Sequence, residues 1–340
     1  MMKAVVLEEY NKPLVIRDVD IADPGVHEVT IEVKACGLCL SDVHIAEGKV
    51  PTVTLPHIPG HEIAGVVAKT GSKVKDFKAG DRVAMSLDLY CGRCDYCLRG
   101  ETNRCDNLAR IGFETDGGYA EFVNIPASNL ELLSEKISFE KACIIPDAVT
   151  CSYRAIKYVG QVAVGDRVGV LGVGGLGMQA IQIAKLMGAH VIATSRKDEK
   201  CERAKAMGAD IVINTGKQDF LEEVKKTVGQ FDVVIDNIGT RESVLESLAA
   251  TRRGAKVVVM AYVTPELTVP GYDLVINEKQ VLGSRASNRN EFREAMRLVN
   301  AGLIDPDIEA IIPVTQVNQA HEDLKNGKFQ TRSVLSMDFS

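Results

Sequence analysis

The feature that most constrains this chain is a run of glycines set between two stretches of different periodicity. Val168–Leu171 is a short apolar run of the kind that forms a buried strand, and Gly177 to Leu186 carries helical spacing. Between them stands Gly172-Val173-Gly174-Gly175-Leu176-Gly177, a G-x-G-x-x-G. Such a loop opens a βαβ unit. Gly172 permits the tight turn, Gly174 lets the backbone approach a pyrophosphate, and Gly177 lets helix and strand pack closely. The helix N-terminus, with Gly175 and Leu176 leading into it, offers unpaired N–H groups to phosphate. The pattern alone is common by chance; its place between a strand and a helix is what points to a dinucleotide. A glycine-rich turn without a ligand is the alternative.

The alternation continues beyond the loop. Strand-like runs at His190–Ala193, Ile211–Ile213, Phe231–Ile235 and Ala255–Met260 are separated by helical segments. Strands alternating with helices imply a parallel, doubly wound sheet. Residues 1 to about 148 read differently, as short β-branched strands broken by turn signals such as Pro24-Gly25 and Ala79-Gly80-Asp81. A helix over Glu291–Asn300 and a closing strand over Arg332–Met337 follow the second region, and the pattern does not say which region they join. A chain of 340 residues is expected to divide, since single cores stop growing near about 250–300 residues. The fold class expected is α/β, a β-rich domain plus a doubly wound one, with the nucleotide domain at 149–285.

The net charge of −6 gives no electrostatic reason to bind nucleic acid or anionic lipid. Acid follows too soon after Met1 for a secretory signal, and the most apolar stretch, Val168 to Ala184, is interrupted by glycines, Gln179 and Gln182. A cytoplasmic protein without a membrane partner is expected. Six of its nine cysteines sit in two tight groups, which in that setting points to metal rather than disulfides.

Cys91, Cys94, Cys97 and Cys105 form C-x2-C-x2-C-x7-C. Four thiolates this close can complete a tetrahedral shell around zinc, leaving no open position, so a metal in this lobe (residues 90–106) is expected to be structural. An iron–sulfur cluster is the rival; the tight final spacing and the missing proline after Cys105 count against it. Upstream, Cys39, Ser41, Asp42 and His44 crowd polar functions into six residues, and His61-Glu62 follows Pro59-Gly60 just before a strand.

These residues resemble the zinc-containing medium-chain alcohol dehydrogenases. The resemblance runs the length of the chain and rests on the Cys39–His44 segment, Gly60-His61-Glu62, the four-cysteine lobe, Gly117-Gly118-Tyr119-Ala120-Glu121 and Gly172–Gly177, all in the family's order. It implies a GroES-like catalytic domain over 1–148 and 286–340, a Rossmann domain over 149–285, and a homodimer or homotetramer built through the Rossmann domains. By position, Cys39 and His61 match catalytic zinc ligands, and Glu62 the acid beside the metal. Ser41 matches the hydroxyl that takes the substrate proton, His44 the outer end of the relay through the cofactor ribose, and Asp42 the partner of the ligand histidine. Cys36 reads as a small buried residue.

The third ligand departs from the commoner cysteine. The matching position is Asp147, as in several secondary-alcohol dehydrogenases of the family, with Cys151 and Cys143 as rivals. A carboxylate in place of a thiolate keeps the ligand charge and a feasible tetrahedral site. Leu40 stands where many relatives have a cation, leaving Arg332 as the pyrophosphate partner, or else as a solvated arginine.

About twenty residues past the glycine loop an acid ordinarily binds the ribose hydroxyl of NAD. Here the chain reads Ala193-Thr194-Ser195-Arg196-Lys197. A hydroxyl and two cations suit a 2′-phosphate, so NADP is favoured over NAD, unless Arg196 and Lys197 simply face solvent. The expected enzyme carries two zinc ions per chain. It moves hydride between the cofactor and a small alcohol or carbonyl substrate: a secondary alcohol, a polyol or a cyclic alcohol. A zinc-free quinone or enoyl reductase and a non-catalytic nucleotide-binding sensor are the alternatives.

Overall fold

The computed structural model describes residues 1–261 and 266–339. Two compact units emerge, one made of 1–147 with 287–340 and the other of 148–286.

The first unit is built on a seven-stranded sheet. Its central strand, Glu28–Gly37, pairs antiparallel with Ile63–Thr70, Phe122–Pro126 and Arg332–Ser336. Arg332–Ser336 in turn pairs parallel with Ile308–Pro313, so the end of the chain returns to complete the sheet begun by its start. β-branched and apolar residues at Val29, Ile31 and Val33 alternate into the interior, where they pack with Ile63, Met85, Ile111, Tyr119 and Leu335. A small ribbon, Asp88–Leu89 against Ala109–Arg110, stands at the base of the four-cysteine lobe.

The second unit is a six-stranded sheet in which every neighbouring pair is parallel. Its spatial order is Ile211–Asn214, His190–Ser195, Arg167–Leu171, Phe231–Asp236, Thr251–Val259 and Gln280–Gly283. Numbered by sequence that order is 3-2-1-4-5-6, the Rossmann arrangement, with its switch point between the first and fourth strands. The first strand, Arg167–Leu171, leads through the glycine loop into helix Gly175–Leu186, which starts two residues earlier than its periodicity suggests. No described helix is long and apolar enough to cross a membrane.

Three strands of this sheet are tied at one end by a charged cluster. Asp232 accepts from Arg167 Nε at 2.9 Å and from Arg252 Nε at 2.5 Å, and its side chain is 12% exposed. Burial raises the Asp232 carboxyl, but the hydrogen bonds from the two arginines outweigh it and lower the pKa to about 2. A depressed carboxylate contributes stability that is present above its unfolded pKa and lost as pH falls through the folded one. Acid unfolding of the native chain is therefore expected to include a loss between about pH 4 and pH 2. Asp232→Asn should remove that part of the pH dependence and cost about 1–2 kcal/mol at neutral pH, read from urea unfolding across that range.

Candidate active site

Cys39 follows the central strand of the first unit and caps helix Leu40–Ala46 from extended backbone. Asp42, in the first turn of that helix, is fully buried and uses both carboxylate oxygens. Oδ2 accepts from the backbone N–H of Cys39 at 3.0 Å, and Oδ1 takes the His61 Nδ1–H at 3.1 Å. One carboxylate thus fixes the backbone of one ligand and the ring of another. With Nδ1–H committed to Asp42, His61 presents the lone pair of Nε2 to a metal. Ser41 Oγ lies 3.4 Å from that Nε2.

Asp147 arrives from a different element. Helix Phe139–Cys143, capped by Ser138, runs into a single π turn over Ile145–Val149, and Asp147 sits in that turn. Such turns recur at functional sites because the widened backbone re-aims side chains. Asp147 Oδ2 lies 3.6 Å from Cys39 Sγ and 4.0 Å from His61 Nε2. Ligand atoms of Cys39, His61, Glu62 and Asp147 all fall within 4.8 Å of one another, and neither Cys143 nor Cys151 belongs to the group. Cys143 instead donates to the Glu140 carbonyl. Cys36 is fully buried, and burial pushes its thiol well up.

The electrostatics of the group are severe. Cys39, Glu62 and Asp147 are all capable of negative charge, and Arg332 is set among them. Its Nη2 meets Glu62 Oε1 at 2.6 Å and Asp147 Oδ2 at 2.5 Å, with only 5% of the residue exposed. The structure therefore places Arg332 on two site carboxylates and out of solvent. Burial raises the Cys39 thiol, but Arg332 and the bond to His61 more than offset it and leave the pKa lowered. Glu62 goes the other way: burial, aided by Asp147 and Cys39, holds it well up despite Arg332. Glu62 Oε2 is buried with no hydrogen-bond partner. An orphaned carboxylate oxygen beside a thiol, an imidazole and a second carboxylate is what a divalent cation would satisfy, and the donor set suits zinc.

The lobe presents a second group. Ligand atoms of Cys91, Cys94, Cys97 and Cys105 lie within 4.8 Å of one another, and all four thiols are free. Cys105 Sγ accepts from the N–H groups of Cys91 at 3.3 Å and Asn107 at 3.4 Å. Hydrogen bonds from backbone N–H groups lower Cys91 to about 6. Four sulfurs and nothing else fit a closed metal shell.

In the second unit the glycine loop has the geometry its sequence suggests. Gly172 has φ +78°, and a Cβ on Gly177 would lie 2.4 Å from the Gly172 carbonyl oxygen. Gly174 is different: φ is −131° and a Cβ there would meet nothing within 4 Å. Neither backbone strain nor packing within the chain calls for glycine at that position. A ligand that must come close to the backbone does, so the loop fits a dinucleotide. Asn237 and Ile238 stand beside it, Asn237 donating to the Leu171 carbonyl; no motif marked these two. Ser195 is half-buried at the end of strand His190–Ser195, followed by exposed Arg196 and Lys197. Ser41 and His44, three residues apart, share a face of their helix, while Leu40 is exposed.

The comparisons with known proteins agree with this geometry. Residues 25–135 match the alcohol dehydrogenase GroES-like domain, and residues 175–301 match the zinc-binding dehydrogenase family. An alcohol dehydrogenase of Geobacillus stearothermophilus is 35% identical over 339 residues, covering 99% of this chain and 100% of its own. The chain belongs to the zinc-dependent medium-chain alcohol dehydrogenase family. A crystal structure of an NAD-dependent alcohol dehydrogenase superposes with a TM-score of 0.94 at 33% identity, over 98% of this chain and 99% of that one. A cobalt- and zinc-bound thermostable alcohol dehydrogenase from Pyrobaculum aerophilum gives 0.90 at 31% identity, again over 98% and 99%. This dehydrogenase is a zinc-dependent, NAD(P)-linked oxidoreductase, with an acid at the third ligand position. The zinc-free reductase and the non-catalytic sensor give way to it.

Removing the Arg332 guanidinium should leave Glu62 and Asp147 buried without countercharge. Arg332→Leu is expected to destabilise the metal-stripped protein by about 3 kcal/mol, with Arg332→Lys recovering part of the loss, as measured by thermal unfolding. Equal stability of all three proteins would mean the guanidinium contributes nothing to holding the site.

Proposed function

We propose that this enzyme interconverts an alcohol (secondary, cyclic or polyol) and its carbonyl compound, using NADP in preference to NAD. The observation that carries the reading is the convergence of Cys39, His61 and Asp147 from three separate stretches, with a hydroxyl beside them.

Cys39, His61 and Asp147 would hold the catalytic zinc, Glu62 would stand next to it, and Cys91, Cys94, Cys97 and Cys105 would hold a structural one. Bound zinc supplies a Lewis acid that makes an alcohol acidic or polarises a carbonyl. Asp42 keeps His61 in the required tautomer and orientation. Ser41 Oγ would take the hydroxyl proton, and His44 would receive it farther out. Burial and then Lys49 lower the His44 pKa, against a smaller opposing pull from Glu47, so its imidazole is neutral and able to accept at neutral pH. Asp147 in place of a thiolate adds to the resemblance to secondary-alcohol dehydrogenases of the family, and a polyol or cyclic alcohol would fit as well. Gly172, Gly174, Gly175, Leu176 and Gly177 would cradle the pyrophosphate, with the Arg332 guanidinium as a further phosphate partner when it leaves its carboxylates. The bound nicotinamide supplies the hydride acceptor or donor.

NADP preference rests on the end of the second strand of the nucleotide unit. No carboxylate follows Ala193 until Asp198, and Asp198 is already engaged by Asn214 at 2.7 Å and Lys217 at 2.6 Å. Ser195, Arg196 and Lys197 follow at the strand end, where a hydroxyl and two cations would suit a 2′-phosphate. The assembly we infer is a homodimer or homotetramer joined through this unit, where Tyr272, Val275 and Ile276 expose apolar surface next to the edge strand Gln280–Gly283. A cytoplasmic setting belongs to the same reading.

Cys39→Ser should abolish turnover on a panel of alcohols and ketones and lower the metal content from two ions per chain to one, with the lobe metal retained. Activity that survives without the second ion would remove zinc from the mechanism. Ser195→Asp combined with Arg196→Ala should shift the kcat/KM ratio toward NAD by about tenfold or more. A ratio unchanged from the parent would rule out the 2′-phosphate argument.

A further inference from the structure

The ring of Phe113, outside the ligand set, packs against the His61 ring, and it is delivered by the chain leaving the lobe. The lobe's return strand, Ala109–Arg110, pairs with Asp88–Leu89, and the chain then turns sharply. The Arg110 carbonyl accepts from the N–H groups of Phe113, Glu114 and Thr115 at 3.1, 3.1 and 3.2 Å. The Arg110 guanidinium is gripped by Glu114 in two contacts of 3.0 and 2.6 Å, and Thr52 Oγ donates to the same carboxylate at 2.6 Å. Held this way, the guanidinium carbon lies 4.0 Å from the centroid of the Phe113 ring, a cation–π contact. Phe113 is 7% exposed, and its ring lies 4.9 Å from the His61 ring, tilted by 54°.

The bond to Asp42 anchors one edge of the His61 ring, and the tilt of the ring depends on what packs against it. The ring is tethered at Cβ and bonded to Asp42 at Nδ1, so the movement left to it is a slight roll, enough to shift Nε2 relative to Cys39 and Asp147. An aromatic wall against the ring blocks that roll. The turn is pressed into place, since a Cβ on Gly112 would lie 2.6 Å from the Gly60 carbonyl carbon, one residue before His61. His57 Nε2 also meets the Gly112 carbonyl at 3.0 Å.

We propose that Phe113, clamped by Arg110 and Glu114, is a positioning residue for His61, and that through this turn the four-cysteine lobe sets the geometry of the catalytic metal site. The inference rests on the reading of Cys39, His61 and Asp147 as metal ligands. Partners of ligating histidines alter metal affinity by about 10–100-fold; an aromatic wall is expected at the lower end of that range.

The test uses the full-length enzyme with zinc in the lobe and cobalt in the catalytic site, and it reads the cobalt absorption bands and the rate of cobalt loss to a chelator. Phe113→Leu should shift the bands and speed cobalt loss about tenfold, while Phe113→Tyr, which keeps the ring, should match the parent. Arg110→Met, which leaves Phe113 in place but unclamped, should move both readouts in the same direction by less. Lobe zinc should stay in all three. Bands and loss rate in Phe113→Leu identical to the parent would overturn the proposal, as would Phe113→Tyr behaving like Phe113→Leu. Should Phe113→Leu not fold, unchanged readouts in Arg110→Met overturn it alone. A parent protein that binds metal only in the lobe would instead refute the ligand reading, so the two failures are distinguishable.

Discussion

Three groups able to carry negative charge, Cys39, Glu62 and Asp147, are packed into a largely buried space a few ångströms across, and the first unit has to make that arrangement tolerable. Like charges at this separation in a low-dielectric setting repel strongly. Arg332 supplies one positive charge, with His61 and its Asp42 partner close by. The pKa directions show the compromise: the Cys39 thiol is lowered while Glu62 is held well up by burial. A site that must store this much potential charge, and that leaves Glu62 Oε2 without a partner, is organised around a cation.

Much of this was legible in the sequence because its signals are local. The glycine loop reads through its flanking strand and helix, the lobe through four closely spaced cysteines, and Cys39 with Ser41, Asp42 and His44 through their crowding on one short helix. Asp147 was not readable from spacing alone. Its neighbours Cys143 and Cys151 are rivals of suitable chemistry, and only the likeness to relatives singles it out. The physical reason is the π turn over Ile145–Val149, which decides which side chain reaches Cys39 and which no hydrophobic period announces.

The remaining features depend on contacts that span the chain. Arg332 is 270 residues from Glu62, yet they share a buried ion pair; the sequence suggested a phosphate partner for that arginine and said nothing of the two carboxylates. Phe113 was similarly invisible, since a lone aromatic in a polar turn reads as ordinary packing until its ring is found against His61. Asn237 and Ile238 belong to the same class: they matter because the 3-2-1-4-5-6 strand order sets their strand next to the glycine loop.

The return of strand Arg332–Ser336 to the first sheet has an implication for synthesis. Residues 148–286 form a contiguous unit that is free to fold as soon as it leaves the ribosome, whereas the unit around it is begun early and stays open. Until the final strand docks, two carboxylates lack their guanidinium and the Ala35–Gly37 end of the central strand is bare on the edge that Phe122–Pro126 already covers at Glu28–Glu32. The nascent chain therefore carries a half-built acidic site through the making of the intervening unit, and the Arg332 contacts to Glu62 and Asp147 form only among the last events of folding.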